Sequence, residues 1–219
     1  MRSLTAHMLA GLVAAAILTA FLLAGCSTST GPIDMPVPDV HYFARTSPDS
    51  VVANLRLAYE NQHLARYLEC LAEDFTFYPS PRTLEEYEWI PESWGKVDEH
   101  RIHQNMFGGS SFVHGIVLAL LQEGEATPIL GPTPGDTIGY EYTFGVDLRV
   151  DCQDSITYVA TAPSLFLLRI DPDEMGSGGE PLWEILEWYD IDDDGSCVRP
   201  VLPTSWGELK ILFHDLDWD

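Results

Sequence analysis

Apolar positions along the chain follow two periods, a helical one first and a strand period afterwards. Ser47, Pro48, Asp49 and Ser50 form a helix start: a capping hydroxyl, proline at the first helical position and an early acid for the dipole. The helix that follows carries Val51, Val52, Leu55, Ala58 and Tyr59 on one face. A break at Asn61 to His63 leads to a second helical stretch with Leu64, Tyr67, Leu68 and Leu71 at helical spacing. Phe75 to Tyr78 is aromatic and β-favouring, and Pro79 and Pro81 are expected to stop it. From Ser93 to Met106 the pattern is helical again, with Trp94, Val97, Ile102 and Met106 as inward positions.

Beyond Gly108 and Gly109 the period changes to two. Phe112 to Gln122 is apolar enough for a central strand. Ile138 to Cys152 alternates, with Tyr140, Tyr142, Phe144, Val146, Leu148 and Val150 on one face and Glu141, Thr143, Asp147 and Arg149 on the other. Ile156 to Ile170 and Leu182 to Ile191 continue the sheet across the turn-rich run Asp171 to Glu180. Helices followed by antiparallel strands predict an α+β domain, not a parallel α/β one. Ser205 to Phe213 closes the chain as a short helix, with Ser205 and Glu208 spaced as a capping box.

The N-terminus changes the picture of where this domain works. Residues 1–25 contain no Asp or Glu, carry Arg2, and run apolar from Met8 to Leu23 before the small residues Ala24 and Gly25. That is an export signal. Leu23, Ala24, Gly25 and Cys26 resemble a lipobox, which implies that Cys26 is acylated with palmitate-type chains and becomes the mature N-terminus, a durable membrane anchor. Residues 26–46 then read as a lipidated terminus and a Pro-rich tether with Pro32, Pro36 and Pro38, and residues 47–219 as one domain. The expected location is extracytoplasmic, on the cell envelope. Ser27 lacks the aspartate associated with inner-membrane retention, so by analogy with lipoproteins the outer membrane is favoured where the host has two. The 34 Asp and Glu all lie after the signal, against ten Lys and Arg, a net charge of −24. Such a surface repels nucleic acid and anionic lipid, so membrane contact is expected through the lipid alone.

The segment "LAYENQHLARYLECLAEDFTFY" (Leu57 to Tyr78), a third helix, several long strands and the late strand "WEILEWYD" (Trp183 to Asp190) resemble the nuclear transport factor 2-like, or SnoaL-like, cone. "SWGELKILF" (Ser205 to Phe213) is similar to the tail of uncharacterised lipoproteins of that superfamily. The resemblance implies a cystatin-like curved antiparallel sheet wrapped on the N-terminal helices and enclosing an apolar pocket, in a superfamily that includes isomerases, cyclases, dehydratases and members that only bind. It brings no catalytic residue with it, since no motif here aligns with a family site, and fold alone does not choose among these activities.

Tyr59, Phe75, Phe77, Trp94, Phe107, Tyr142, Trp183 and Trp188 are candidates to line a pocket, although for each one taken singly a core position is the simpler reading. His100 and His103, with Glu99 and the more distant His114, have a spacing compatible with a metal or a general base, yet an exposed acidic helix gives the same letters. Asp190, Asp192, Asp194 and Gly195 reproduce the opening half of a calcium loop, but Val201 stands where its bidentate Glu belongs, and a solvated turn is the simpler reading. No cofactor is expected, with calcium the weak alternative. Three cysteines remain after lipidation; two strand ends at the same edge of the sheet, with one strand between them, favour a Cys152–Cys197 disulfide and leave Cys70 as a buried helical thiol. No GxSxG marks a serine hydrolase. The expectation is a membrane-tethered extracytoplasmic binding module for a small apolar ligand or, through a sheet face, a protein partner, with homodimerisation left open. The alternatives are a non-metal isomerase, cyclase or dehydratase using His, Asp or Tyr in the cone, with Asp147, Arg149, His114 and Glu187 as the groups to locate, and a calcium-stabilised surface lipoprotein.

Overall fold

Ser47 caps the first helix by the chemistry its neighbours predict: its hydroxyl accepts from the Ser50 amide at 3.2 Å, and the Ser50 hydroxyl accepts from the Ser47 amide at 3.1 Å. The computed structural model describes residues 40–108, 113–133, 135–152, 156–192 and 205–214. The export signal, Cys26, Cys197 and Asp194 lie outside the described residues. No helix among the described residues is long and apolar enough to cross a membrane.

Helix α1 (Pro48–Glu60) buries Val51, Asn54, Leu55, Ala58 and Tyr59, and a turn through Gln62 at φ 51° leads into α2 (Leu64–Glu69). Strand β1 (Leu71–Tyr78) begins four residues earlier than the aromatic run predicts. Glu73 and Asp74 both face solvent and break the alternation, and the register with the neighbouring strand shifts between Leu71 and Thr76. Pro81, expected only to end this strand, instead opens helix α3 (Pro81–Glu86), because Ser80 accepts from the Thr83 amide and proline fits the first helical position. Trp94–Gly95 forms the short strand β2, so helix α4 runs from Lys96 to Phe107. Val97, expected to point inward, is 72% exposed. The inner stripe is Glu99, Ile102, His103, Met106 and Phe107, one continuous i, i+3, i+4 face that leaves Val97 outside it.

Strands β3 (Val113–Leu130), β4 (Thr137–Cys152), β5 (Thr157–Ala160), β6 (Ser164–Met175) and β7 (Pro181–Asp190) follow, and α5 (Trp206–His214) ends the described chain. The sheet order is β2-β1-β7-β6-β4-β3, with β5 on β4. The fold is the expected α+β one with a curved sheet, which stays unclosed, and its strands depart from expectation: β3 runs eight residues past Gln122, the Ile156 to Ile170 stretch is divided into β5 and β6, and β6 continues to Met175 through the expected turn run. β1 lies parallel to β7, and β3, expected to be central, is the terminal strand. A long crossover through the rest of the domain makes the parallel pairing possible, since parallel neighbours cannot be joined by a tight turn. β3's apolar letters serve a single buried face at Ile116 and Leu118, while Val117 and Leu121 face out.

Side chains of the concave face (Phe75, Phe77, Phe144, Leu148, Phe166, Leu168, Ile185, Trp188) pack with α1, α4 and α5 into one core. The last residues assigned to the tether are held to this domain. Phe43 exchanges two backbone hydrogen bonds with the Asn54 side chain, and the Arg45 carbonyl accepts from the Trp183 amide at 2.7 Å.

Candidate functional site

Helix α5 determines what the inside of the cone contains. Its apolar residues Trp206, Leu209, Ile211 and Phe213 point in several directions around the axis, which suits a helix packed on all sides. Every side chain from Ser205 to Ile211 is buried. Ser205 and Glu208 form the expected capping box: the Glu208 amide donates to the Ser205 hydroxyl and the Ser205 amide to the Glu208 carboxylate. Trp206 is wedged between α1 and the sheet, its ring centroid 5.1 Å from that of Tyr59 and 4.1 Å from that of Trp188.

This packing carries Lys210, with no solvent exposure, to Glu99 of α4, whose Oε1 its ammonium reaches at 2.6 Å. Glu99 is the hub of a buried network. Its Oε1 also accepts from Trp94 Nε1 at 2.7 Å, and its Oε2 accepts from the Tyr67 hydroxyl at 2.5 Å and lies 3.1 Å from His103 Nδ1. A carboxylate with four donors is an ionised one. Burial alone would raise its pKa, but the Lys210 charge and the His103 hydrogen bond hold it well below the usual carboxylate range.

The same contacts fix the histidine. His103 Nδ1 faces two acceptors, the Glu99 backbone carbonyl at 2.9 Å and its carboxylate, so Nδ1 carries the proton. Nε2 is then an acceptor, and Tyr59 donates to it at 2.5 Å while receiving the Trp206 indole N–H at 3.0 Å. A directed chain results: Trp206 to Tyr59 to His103 to Glu99. Burial lowers the His103 pKa, with Glu99 opposing, and the ring is neutral at physiological pH. Burial also raises both tyrosines well above the phenol range.

Asp190 forms a second buried centre. It ends β7 with its side chain turned inward, where it accepts from the Gly207 amide at the start of α5 and from the Ser164 hydroxyl at 3.3 Å. Burial pushes its pKa up to about 7 against these hydrogen bonds and the Lys210 charge. A Cβ on residue 207 would sit 2.8 Å from Asp190 Oδ2, so glycine there lets the helix start close over the carboxyl group.

The pocket-lining candidates Tyr59, Phe77, Trp94, Phe107, Trp183 and Trp188 are all buried and Tyr142 is half-buried. None of them lines either of two surface clefts of similar size, one of about 450 Å³ lined by Arg45, Lys96, Arg169 and Glu184 among others, the other of about 460 Å³ lined by Phe75, Lys96 and His100 among others. His100 and His114 are exposed while His103 is buried, so the histidines diverge. Asp147 and Arg149 pair with each other on the exterior at 3.0 Å, and Glu187 accepts from the Tyr189 hydroxyl. Asp192 accepts from the Arg82 amide, and no three His, Cys, Asp or Glu side chains gather as a metal-binding group among the described residues. Cys152 is buried at the end of β4, and its suggested pairing lies outside the described residues with Cys197. Burial pushes the Cys70 thiol up to about 12, which leaves it unreactive.

Glu99, Tyr67, Asp190 and Lys210 acquire roles in the cone that their letters alone do not disclose. The signal for Glu99 and His103 was present in the 99, 102, 103, 106, 107 stripe. For Lys210 it was the absence of a polar face on its helix.

No protein-family model matches the chain, and no curated protein sequence matches it. Among solved structures it is similar to a nuclear transport factor 2-like superfamily protein from Salmonella enterica (11% identity, 68% of this chain and 92% of that one, TM-score 0.42). It is similar also to a ketosteroid isomerase-like protein from Erwinia carotovora atroseptica (12% identity, 65% and 91%, TM-score 0.41). A protein of unknown function with a cystatin-like fold from Nostoc punctiforme shows 16% identity over 71% and 90%, TM-score 0.39. The structural neighbours of this chain are nuclear transport factor 2-like and ketosteroid isomerase-like proteins, the resemblance its helices and late strand carry.

Proposed function

We propose that this chain is a membrane-tethered, extracytoplasmic binding module whose cone is its binding chamber. The observation that supports binding over catalysis is the closure of the interior network. His103 Nε2 is taken by Tyr59, all four lone-pair directions of Glu99 are taken, and Asp190 is held by Gly207 and Ser164. A general base needs a free lone pair within reach of a substrate proton. The tether reading rests on the Leu23 to Cys26 lipobox and the apolar run before it.

Fractionation and mass tests address both halves. The wild type is expected in the membrane fraction with palmitate label, and Cys26→Ala is expected to lose the label. An unlabelled, freely soluble wild type overturns the tether. A stoichiometric small molecule in the organic extract of the purified protein supports the chamber.

One observation favours the enzyme reading: Asp190, its pKa raised by burial to about 7, and His103, its pKa lowered by burial, are both ionisable groups enclosed in the interior. Under that reading Asp190→Asn abolishes turnover of a substrate while the fold persists. Under ours it leaves ligand binding in place.

A further inference from the structure

We propose that the inside of the cone is a recognition site for a primary alkylammonium ion, and that Lys210 of α5 is the chain's own occupant of it. This rests on the reading of the cone as a binding chamber.

The site is built by elements other than α5. Strand register sets Trp94 opposite Phe77 and Phe77 opposite Trp188, so three aromatic rings stand in a row across β2, β1 and β7. The row continues through Phe166 on β6 and Tyr142 on β4. The Lys210 ammonium lies 3.7 Å from the Phe77 ring centroid, 4.3 Å from that of Trp188 and 6.0 Å from that of Trp94. These are cation–π distances, and a cage of aromatic faces is a general means of holding an alkylammonium. Glu99 supplies the counter-charge, and its carboxylate is oriented by Tyr67, Trp94 and His103, none of which belongs to α5. Walls and counter-ion therefore exist independently of the lysine that fills them.

Charge balance narrows the ligand. With His103 neutral, the ionised Glu99 calls for one cation, and a buried carboxylate stripped of its partner is costly. A neutral ligand of the same shape leaves that charge unpaired. The occupant is a fully buried primary ammonium on an unbranched four-carbon stem, so the matching ligand is a primary amine with a short unbranched alkyl chain. Trp188 adds an unused group: among the described residues its buried Nε1 has no hydrogen-bond partner. A plain alkylammonium leaves it unmet, and only a ligand with an acceptor besides its ammonium would satisfy it.

The test uses the full chain with n-butylammonium chloride as probe and n-butanol and sodium chloride as controls. In Lys210→Ala, butylammonium is expected to raise Tm saturably by about 5 °C or more, while the controls do not. Adding Glu99→Gln is expected to remove that rise. In the wild type the probe must compete with an occupant tethered at high effective concentration. Hydrogen exchange of the α5 amides is expected to quicken as the amine is raised to molar levels, and not with equal sodium chloride. Equal effects of butylammonium and butanol on Lys210→Ala overturn the proposal, and so does wild-type α5 exchange indifferent to the amine. The second arm needs no variant and so is unaffected if Lys210→Ala fails to fold. Failure of both arms with membrane fractionation and a copurifying molecule intact leaves the binding module standing with a different ligand.

Discussion

β4 serves two regions that differ in everything but backbone pairing. In its second half Phe144, Val146, Leu148 and Val150 are buried in the cone, within the same core as α5. In its first half it pairs with β3 residues such as Thr127 and Ile129, and β3 beyond Leu120 is exposed at nearly every position. The arm is held by a ladder of main-chain hydrogen bonds that most substitutions at its exposed positions leave intact. The interior depends on a few charged groups that only their partners satisfy. Single substitutions should therefore be costly in one region and nearly silent in the other, although the interior contains the more polar letters.

The largest effect is expected at the network's hub. Glu99→Ala strands the Lys210 ammonium in an aromatic core and leaves Trp94 and Tyr67 without their acceptor, a loss of about 3–5 kcal/mol. Glu123→Ala on the arm should stay within about 0.5 kcal/mol. Urea denaturation of both variants checks this, and similar midpoints would erase the contrast. Replacing Glu99 with Leu and Lys210 with Met together should recover part of the loss, because two apolar side chains leave no orphaned charge, while Trp94 and Tyr67 still lack their acceptor.

How far this contrast was legible in the sequence differs by region. The capping boxes at Ser47 and Ser205, the helical face of α1 and the alternation of β4 were readable because each depends on neighbours in the chain. β1 beside β7 in parallel was not, since that pairing joins segments about a hundred residues apart. Glu99 and Lys210 were hidden for a related reason. A charged letter on a short helix predicts a wet face, and only the other's arrival through the tertiary fold makes burial of either tolerable. The aromatic candidates Phe77, Trp94 and Trp188 were readable as a set, but their alignment in one row depends on register across three strands.

The second effect is a pH dependence confined to the interior. Asp190 has a folded pKa of about 7 against an ordinary 3.8, so the native state binds the proton more tightly than the unfolded chain. Its contribution is fully present below about pH 3.8 and is lost as pH rises through about 7. The slope approaches about 1.4 kcal/mol per pH unit inside that window. His103 opposes it: a folded pKa below 6.5 costs stability as pH falls under 6.5. Glu99 acts lower still, losing its stabilisation as pH falls below 4.5, and the depressed pKa of Lys210 also favours higher pH. The difference between wild type and Asp190→Asn cancels the shared terms to first order. That difference should shrink from pH 4 to 7 as the aspartate's advantage disappears, and a difference independent of pH would refute the buried acid.

A smaller loss is expected from Gly207→Ala. The new methyl group meets Asp190 Oδ2 at 2.8 Å, and relief requires α5 to shift away from β7. Overpacking of this kind costs about 1–3 kcal/mol. Because the shift lengthens the Gly207–Asp190 hydrogen bond, the variant should also show an Asp190 pKa above the wild type's, read by carboxyl chemical shift. An unchanged titration with lowered stability would mean that the hydrogen bond survived, the Asp190 carboxyl group having turned together with the helix start.

The smallest effect defines the other end of the comparison. Leu121 is 74% exposed on the outer face of β3, next to Val117 at 55%, and has almost no burial to lose. Leu121→Gln should change stability by less than about 0.5 kcal/mol while removing the largest apolar side chain from that face. Sedimentation of the same variant adds a second reading. If wild type and variant sediment alike, the exposed apolar row is a solvated feature of a monomer. If the wild type is a dimer and Leu121→Gln is not, the arm's silence in unfolding experiments reflects a surface whose side chains act between molecules, and the interior remains the region that holds one molecule together.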